Sequence, residues 1–332
     1  MRYLLVLLLQ VGFCVAQAQD SQVDKLLKQG NALFDHELYE DAINKYKQVI
    51  AFDKDNEQAH YELAYTYLSI RNWDDALYYC RLTLDFEGDY WLDAILIYGN
   101  VLNNKGNSKQ AIREYKKALK QYPKEALLHY NLAMSYEKAG DYESAENAVV
   151  KSLKIDKAHL PSHRLLSALM KKKGEGLKSM LPLYYCLLIE PDDVKKQEII
   201  SELQVQWYVA QVQRKKANVP ISKHSSLSGL TVAESKLNDI SRVASLTYPE
   251  EPFTLVNQTI ELLTMLEEVQ TGELDFFDIQ YVDFFTMLHR AGHTESFSYF
   301  ICSASYNPEV LLWIGDHQST FSAFINWMEL QQ

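Results

Sequence analysis

The stretch "LLHYNLAMSYEKAGDYESAENAVVKSLKIDK", Leu127–Lys157, decides the fold of this 332-residue chain. Apolar residues recur at helical spacing on both sides of Gly140-Asp141-Tyr142, so it reads as two amphipathic helices joined by a short turn, with no room for a strand. The same grammar stands upstream in "IYGNVLNNKGNSKQAIREYKKALKQYP" (Ile97–Pro123), "YELAYTYLSIRNWDDALYYCRLTLDFEG" (Tyr61–Gly88) and "KQGNALFDHELYEDAINKYKQVIAFDK" (Lys28–Lys54). The period is about 34 residues. Two short helices cannot bury their apolar faces alone, so each pair must stack on the next. Small residues mark the close approaches: Gly30, Ala64, Gly99 and Ala133 midway along the first helices, and Ala42, Ala76, Ala111 and Ala145 at the start of the second. Large aromatics are expected in the complementary holes, with Tyr39, Trp73 and Tyr142 at the turns and Tyr46 and Tyr115 along the second helices.

In these residues the chain resembles the tetratricopeptide repeat family. The resemblance implies four copies, Val23–Asn56, Glu57–Tyr90, Leu92–Glu125 and Ala126–His159, with Trp91 as one extra residue between the second and third. A fifth, Leu160–Asp193, keeps the period but carries Ser167 and Ser179 at the small sites and a Gly174-Glu175-Gly176 turn. The fold class expected is all-α: a right-handed α-solenoid of such pairs over residues 19–193, followed by a helical C-terminal domain.

The N-terminus runs from Met1-Arg2 through an apolar stretch, Tyr3–Ala16, to Ala16-Gln17-Ala18. This is the layout of a secretory signal peptide over residues 1–18, and the run is shorter than the roughly 20 apolar residues of a membrane span. A membrane anchor is the competing reading, and a lipid anchor at Cys14 a further one, but Phe13 stands where bacterial lipoprotein signals carry a small residue. Beyond the leader there are 32 basic residues (33 less Arg2) against 44 acidic ones, a net charge of −12. Such acidity disfavours nucleic acid and anionic lipid as partners. Cys80, Cys186 and Cys302 form an odd, widely spaced set, read as buried free thiols and not a disulfide scaffold. The expected compartment is extracytoplasmic, the periplasm or cell-envelope surface in a bacterium, with no stable membrane insertion after cleavage. Asn257-Gln258-Thr259 is a lone glycosylation sequon, meaningful only in a eukaryotic secretory pathway.

After Asp192 the helical pattern continues without the clean repeat. Asp193–Lys216 reads as one long capping helix with Ile200, Leu203 and Trp207 on one stripe and Val205, Val209 and Val212 near it. Ala217–Ser228 reads as a linker, and Thr231 with Glu234 as a capping box opening a helix to about Leu246. Further helices are expected over Thr254–Val269, from Asn307-Pro308-Glu309, and over Ser319–Leu330. "HRAGHTESFSYFICSASYNPE" has the layout of a repeat hairpin, yet Phe285 and Phe297 replace the small residues. Two bulky rings there would force neighbouring hairpins apart, so residues 229–332 are expected to form a helical aromatic-rich domain without true repeat packing, with a diverged continuation of the solenoid as the alternative.

Candidate chemistry is sparse. His289, His293 and Glu295 are the one metal-like cluster, but Gly292 interrupts the helix and the three fit a C-terminal cap and a solvated turn better. There is no Gly-x-Ser-x-Gly elbow and no phosphate-cradling loop, and neither cofactor nor metal is expected. The run Lys171-Lys172-Lys173 fits a solvated helix end, or one end of a groove.

The family resemblance implies a channel lined by the first helices. Its positions here are Leu27, Asn31 and Phe34, then Tyr61, Tyr65 and Leu68, then Leu96, Asn100 and Asn103, then Tyr130, Met134 and Glu137, and finally Arg164, Ala168 and Lys171. Repeats of this family that grip a chaperone's C-terminal carboxylate need a Lys where Leu27 stands and an Asn where Glu62 stands, which disfavours that activity. A groove with exposed Tyr and Met, acidic near Asp24 and Asp35 and basic near Arg164 and Lys171, suits apolar or aromatic anchors. The function expected is therefore a non-catalytic adaptor or assembly scaffold binding a protein or peptide segment. An enzyme whose C-terminal domain gathers His289, His293, Glu295 or Cys302, or a carbohydrate- or substrate-capture module with coplanar exposed aromatics, are the alternatives.

Overall fold

The computed structural model describes residues 21–216, 252–267 and 275–331. The expected leader, the linker Ala217–Ser228 and the helix from Thr231 to Leu246 lie outside them. Among the described residues all regular structure is helical. Contacts between elements divide the chain into two compact units, Met1–Ile155 and Asp156–Gln332.

The first unit is four consecutive helix pairs: α1 (residues 21–35) with α2 (Tyr39–Phe52), α3 (Glu57–Ser69) with α4 (Trp73–Phe86), α5 (Trp91–Asn104) with α6 (Ser108–Ala118), and α7 (Ala126–Lys138) with α8 (Tyr142–Ile155). The turn inside each pair places one residue in the left-handed region, with Glu37 at φ 60°, Arg71 at 60°, Gly106 at 79° and Gly140 at 81°. Glycine takes that conformation without a Cβ penalty, so the third and fourth turns are the relaxed ones. Polar caps then open the next helix: Asn72 Oδ1 accepts from the Asp75 amide, and Asp141 Oδ1 from the Ser144 amide at 3.0 Å.

Packing within a pair is set by a size exchange sixteen positions apart. Gly30 faces Tyr46 and Gly99 faces Tyr115, so close that a Cβ at either glycine would sit 2.4 or 2.2 Å from the ring. Where Ala64 and Ala133 replace the glycine, Cys80 and Val149 replace the tyrosine, and all four are buried. Tyr46 donates to Asn31 Oδ1 at 2.8 Å and Tyr115 to the Leu96 carbonyl at 3.0 Å, so neither buried hydroxyl is orphaned. The turn aromatics behave otherwise: Tyr142 is exposed, and Tyr39 and Trp73 are half-buried. They sit at the rim, because the turn they occupy is at the end of its pair.

Between pairs, a histidine secures the loop. His60 Nε2 bonds the Lys54 carbonyl at 2.9 Å and His129 Nε2 the Pro123 carbonyl at 3.0 Å. The extra residue near Trp91 is absorbed by the loop before α5. There Glu57 Oε1 accepts from the Tyr90 amide at 3.0 Å and the Glu57 carboxylate lies where a Cβ on Gly88 would be.

The second unit opens with the fifth pair, α9 (Leu160–Lys173) and α10 (Gly176–Ile189), followed by α11 (Asp193–Lys216) and α12 (Pro252–Leu266). A π-helical turn, Asp278–Val282, then runs into α13 (Asp283–Arg290), α14 (Thr294–Ser303), α15 (Pro308–Asp316) and α16 (Gln318–Glu329). Gly174, at φ 79°, repeats the left-handed turn, and Ser167 and Leu183, sixteen positions apart, are both buried, with Ser167 Oγ donating to the Ser179 carbonyl at 2.6 Å. α11 packs on α10. Ile200, Leu203 and Trp207 are buried, Trp207 Nε1 donates to Tyr184 Oη at 3.0 Å, and Gln206 Oε1 accepts from Ser179 at 2.8 Å. Val205 and Val209, expected beside that stripe, are exposed instead, since they fall on the opposite face of the helix. Phe285 and Phe297 are fully buried 5.7 Å apart, each 6.4 Å from Tyr184, and α14 packs chiefly on α12 instead of on α13. The rings fill the space that small residues would close, and the hairpin is splayed.

Candidate functional site

In the first unit, the first helices of successive pairs lie side by side and are tied by side chains. Phe34 of α1 meets Tyr65 of α3 at 5.2 Å and Tyr39 at 5.3 Å. Tyr65 and Tyr61, one turn apart on α3, are nearly parallel at 6.3 Å, and Tyr61 stacks on Tyr90, which precedes α5, at 5.0 Å. The result is a continuous strip of rings across three helix pairs. Tyr65 is 41% exposed, while Phe34, Tyr61 and Tyr90 are half-buried.

Charge along the strip has one sign. The ionised groups acting on Tyr61 are Asp93 and Glu62, and those on Tyr90 are Glu62, Glu57, Asp89 and Asp93. Burial, then these carboxylates, pushes both phenols above the usual tyrosine range. The Glu62 carboxyl is itself held above the ordinary carboxylate value by burial first and Asp35 second, against an opposing hydrogen bond from Gln58.

The other expected channel residues divide. Asn31, Leu68, Leu96, Tyr130, Met134 and Glu137 are half-buried and Asn100 is exposed. Leu27 and Asn103 are buried, and Asn103 Nδ2 donates to Ser135 Oγ at 2.8 Å, tying α5 to α7. Both therefore serve packing. Asn100 Oδ1 accepts from Asn104 at 2.9 Å, whose own Oδ1 accepts from Lys138 at 3.3 Å, so polar side chains here bind one another. In the second unit, Arg164 and Lys171 are exposed and Ala168 is half-buried. Arg164 lies 3.9 Å from both Glu198 and Glu202 of α11, which offsets the positive charge expected at that end. Lys173 pairs with Glu175 at 3.2 Å beyond the α9 terminus.

The residues named for catalysis are spread among separate structural tasks. His289 Nδ1 bonds Thr294 Oγ1 at 2.9 Å and its Nε2 lies 3.2 Å from Glu267, whereas His293 packs against Phe324 and Trp327. Glu295 is exposed, and Cys302 is buried with its thiol pushed up to about 12. Among the described residues no group of three or more His, Cys, Asp or Glu is placed to hold a metal ion. The aromatics of the C-terminal domain mostly pack on each other: Trp313 has Tyr299 at 3.9 Å and His317 at 4.2 Å, both near-parallel to it.

Sequence reasoning missed one constellation. His163, in register with His60 and His129, bonds the Lys157 carbonyl through Nε2 at 2.8 Å and accepts from the Tyr281 hydroxyl through Nδ1 at 2.7 Å. The periodic recurrence of the histidine could have revealed the loop bond. Nothing in the sequence marks Tyr281 as its second partner.

Residues 30–70 match the family model described as TPR repeat, and residues 99–159 the model described as Tetratricopeptide repeat. Among solved structures, a thermophilic TPR protein of Thermus thermophilus is 19% identical, with a TM-score of 0.47 over 56% of this chain and 99% of its own. PilW, a widely conserved type IV pilus biogenesis factor, is 18% identical, with a TM-score of 0.46 over 60% and 95%. YrrB, a TPR protein with an unusual peptide-binding site, is 17% identical, with a TM-score of 0.41 over 54% and 93%. Nothing among the curated proteins matches.

Proposed function

We propose that this tetratricopeptide-repeat protein is a non-catalytic adaptor or assembly scaffold that holds a segment of a protein partner against the first-helix face of its N-terminal unit. Repeats of this kind support an interaction role in general, and the observation that carries the particular site is the ring strip Phe34–Tyr65–Tyr61–Tyr90. Aromatic side chains lose few rotamers on binding and bury large area, so a pre-stacked row of them favours anchoring a partner. The apolar leader Tyr3–Ala16 supports placement outside the cytoplasm, in the periplasm or at the envelope surface of a bacterium. No described helix is long and apolar enough to cross a membrane.

A photo-crosslinking residue at position 65, on the strip, and another at position 78, an exposed tyrosine on the second helix of the same pair, test this in the native host. A discrete adduct at 65 with none at 78 is expected. Equal labelling at both, or none at 65, would remove the first-helix face from consideration.

A further inference from the structure

Elsewhere in the first unit, cations already sit over rings: Lys47 over Tyr67 at 5.7 Å, Arg81 over Tyr98 at 5.8 Å and Lys116 over Tyr136 at 5.3 Å. The strip Phe34–Tyr65–Tyr61–Tyr90 differs. Its neighbours Asp35, Glu62, Asp89 and Asp93 pair with no Lys or Arg among the described residues, and none sits over its rings. Glu62 is partly withdrawn from water, and the group that favours its charged form is the neutral Gln58, not a cation. A desolvated carboxylate beside other carboxylates is an unfavourable arrangement that a cation would relieve. Rings surrounded by negative charge attract the same cation through their faces.

We propose that this strip is a docking site for a basic, extended segment of a partner protein, whose Arg or Lys side chains lie along the rings and pair with Asp35, Glu62 and Asp93. This rests on the reading that the first-helix face binds a partner, and adds the chemistry of that partner. Ring-to-ring steps of 5.2, 6.3 and 5.0 Å together match about five residues of extended chain at roughly 3.4 Å each. Alternate residues of such a segment point the same way, so a pattern of Arg at every second position would bring three cations to the three carboxylates. The arrangement reverses the charge logic of carboxylate-gripping repeats, in keeping with Leu27 and Glu62 at the positions that grip would need.

The probe is a fluorescein-labelled Arg-Leu-Arg-Leu-Arg peptide, with Glu-Leu-Glu-Leu-Glu as its charge-reversed control, titrated by anisotropy into the chain from Gln19 at low and physiological salt. Saturable binding of the Arg peptide alone is expected, weakened about tenfold by Glu62→Gln with Asp93→Asn and likewise by Tyr65→Ala. Asp85→Asn with Glu143→Gln removes the same charge from exposed positions off the strip and should change binding less than about twofold. Equal loss in both double variants would mean diffuse attraction to an acidic protein and would overturn the proposal, as would binding that ignores Tyr65→Ala in a variant with unchanged helicity. The crosslink at position 65, repeated in the Glu62→Gln, Asp93→Asn background, separates the two readings. An adduct that persists undiminished leaves the interaction face standing and sinks the basic segment, whereas no adduct in either background sinks the face itself.

Discussion

At the scale of single residues, the repeat is held in register by matched volumes, and the match can be tested by breaking one half of it. Gly99 is helical, so alanine there gains roughly 0.5–1 kcal/mol in propensity. Against this, its Cβ would fall 2.2 Å from Tyr115 Cζ, a ring that is fully buried and tied to the Leu96 carbonyl. Overpacking of that kind costs about 1–3 kcal/mol, so Gly99→Ala should destabilise the chain. Tyr115→Val should cost roughly 2–5 kcal/mol through the cavity and the lost hydrogen bond. The fourth pair carries Ala133 with Val149 at the same two positions, so the double variant should recover at least about 1 kcal/mol of the summed loss. Denaturant titration of the four chains measures it, and strict additivity would show that the size exchange is incidental.

At the scale of elements, what was legible in the sequence is what the period repeats. Helix pairs, turns and small-residue contacts were all readable because each depends on residues near in sequence and recurs. Phe285 and Phe297, two bulky rings at small sites, mark the departure from repeat packing in the sequence, but that they open α13 from α14 within one hairpin is seen only in the structure. Three rings of the strip, Phe34, Tyr61 and Tyr65, are legible as channel positions from their register, but the joining of Tyr90 and the stacking itself are not, because those contacts depend on how one pair sits on the next. The same holds for His163 and Tyr281, 118 residues apart and joined by the π-helical turn that aims Tyr281 inward. That pair carries a prediction. His163 is fully inaccessible, and burial holds its pKa down, to about 4 from 6.5, with Asp156 and the bond to the Lys157 carbonyl opposing and His159 adding to the fall. Below 6.5 the unfolded chain takes up a proton that the folded chain refuses. Stability is therefore full above pH 6.5 and falls as pH drops toward 4, by roughly 3 kcal/mol across that window. His163→Gln should flatten the pH dependence of thermal unfolding between pH 4 and 6.5, even if it lowers stability at pH 7. An unchanged slope would assign the acid sensitivity to other groups.

At the scale of the whole chain, the two units share one habit, which is to bury sulfur as a hydrophobe and leave it chemically idle. Cys80 fills the site opposite Ala64 in the first unit, while Cys186 and Cys302 lie in the core of the second, and all three are free and buried. Burial pushes the thiols of Cys186 and Cys302 up to about 12, and that of Cys80 in the same direction. At pH 8 a thiol with that pKa is ionised to about one part in ten thousand, and the thiolate is the reactive form. The chain from Gln19 should accordingly show no rapidly reacting thiol toward an aromatic disulfide reagent when folded, and three once denatured. Slow labelling that tracks denaturant would report the first unit opening about Cys80 and the second about Cys186 and Cys302. Rapid reaction in the folded state would mean something different for each site. At Cys80 it would show that the second helix pair is loosely packed, against the fit with Ala64. At Cys302 it would reveal an activated sulfur in the C-terminal unit, and the adaptor reading would have to give way to one in which that unit performs chemistry.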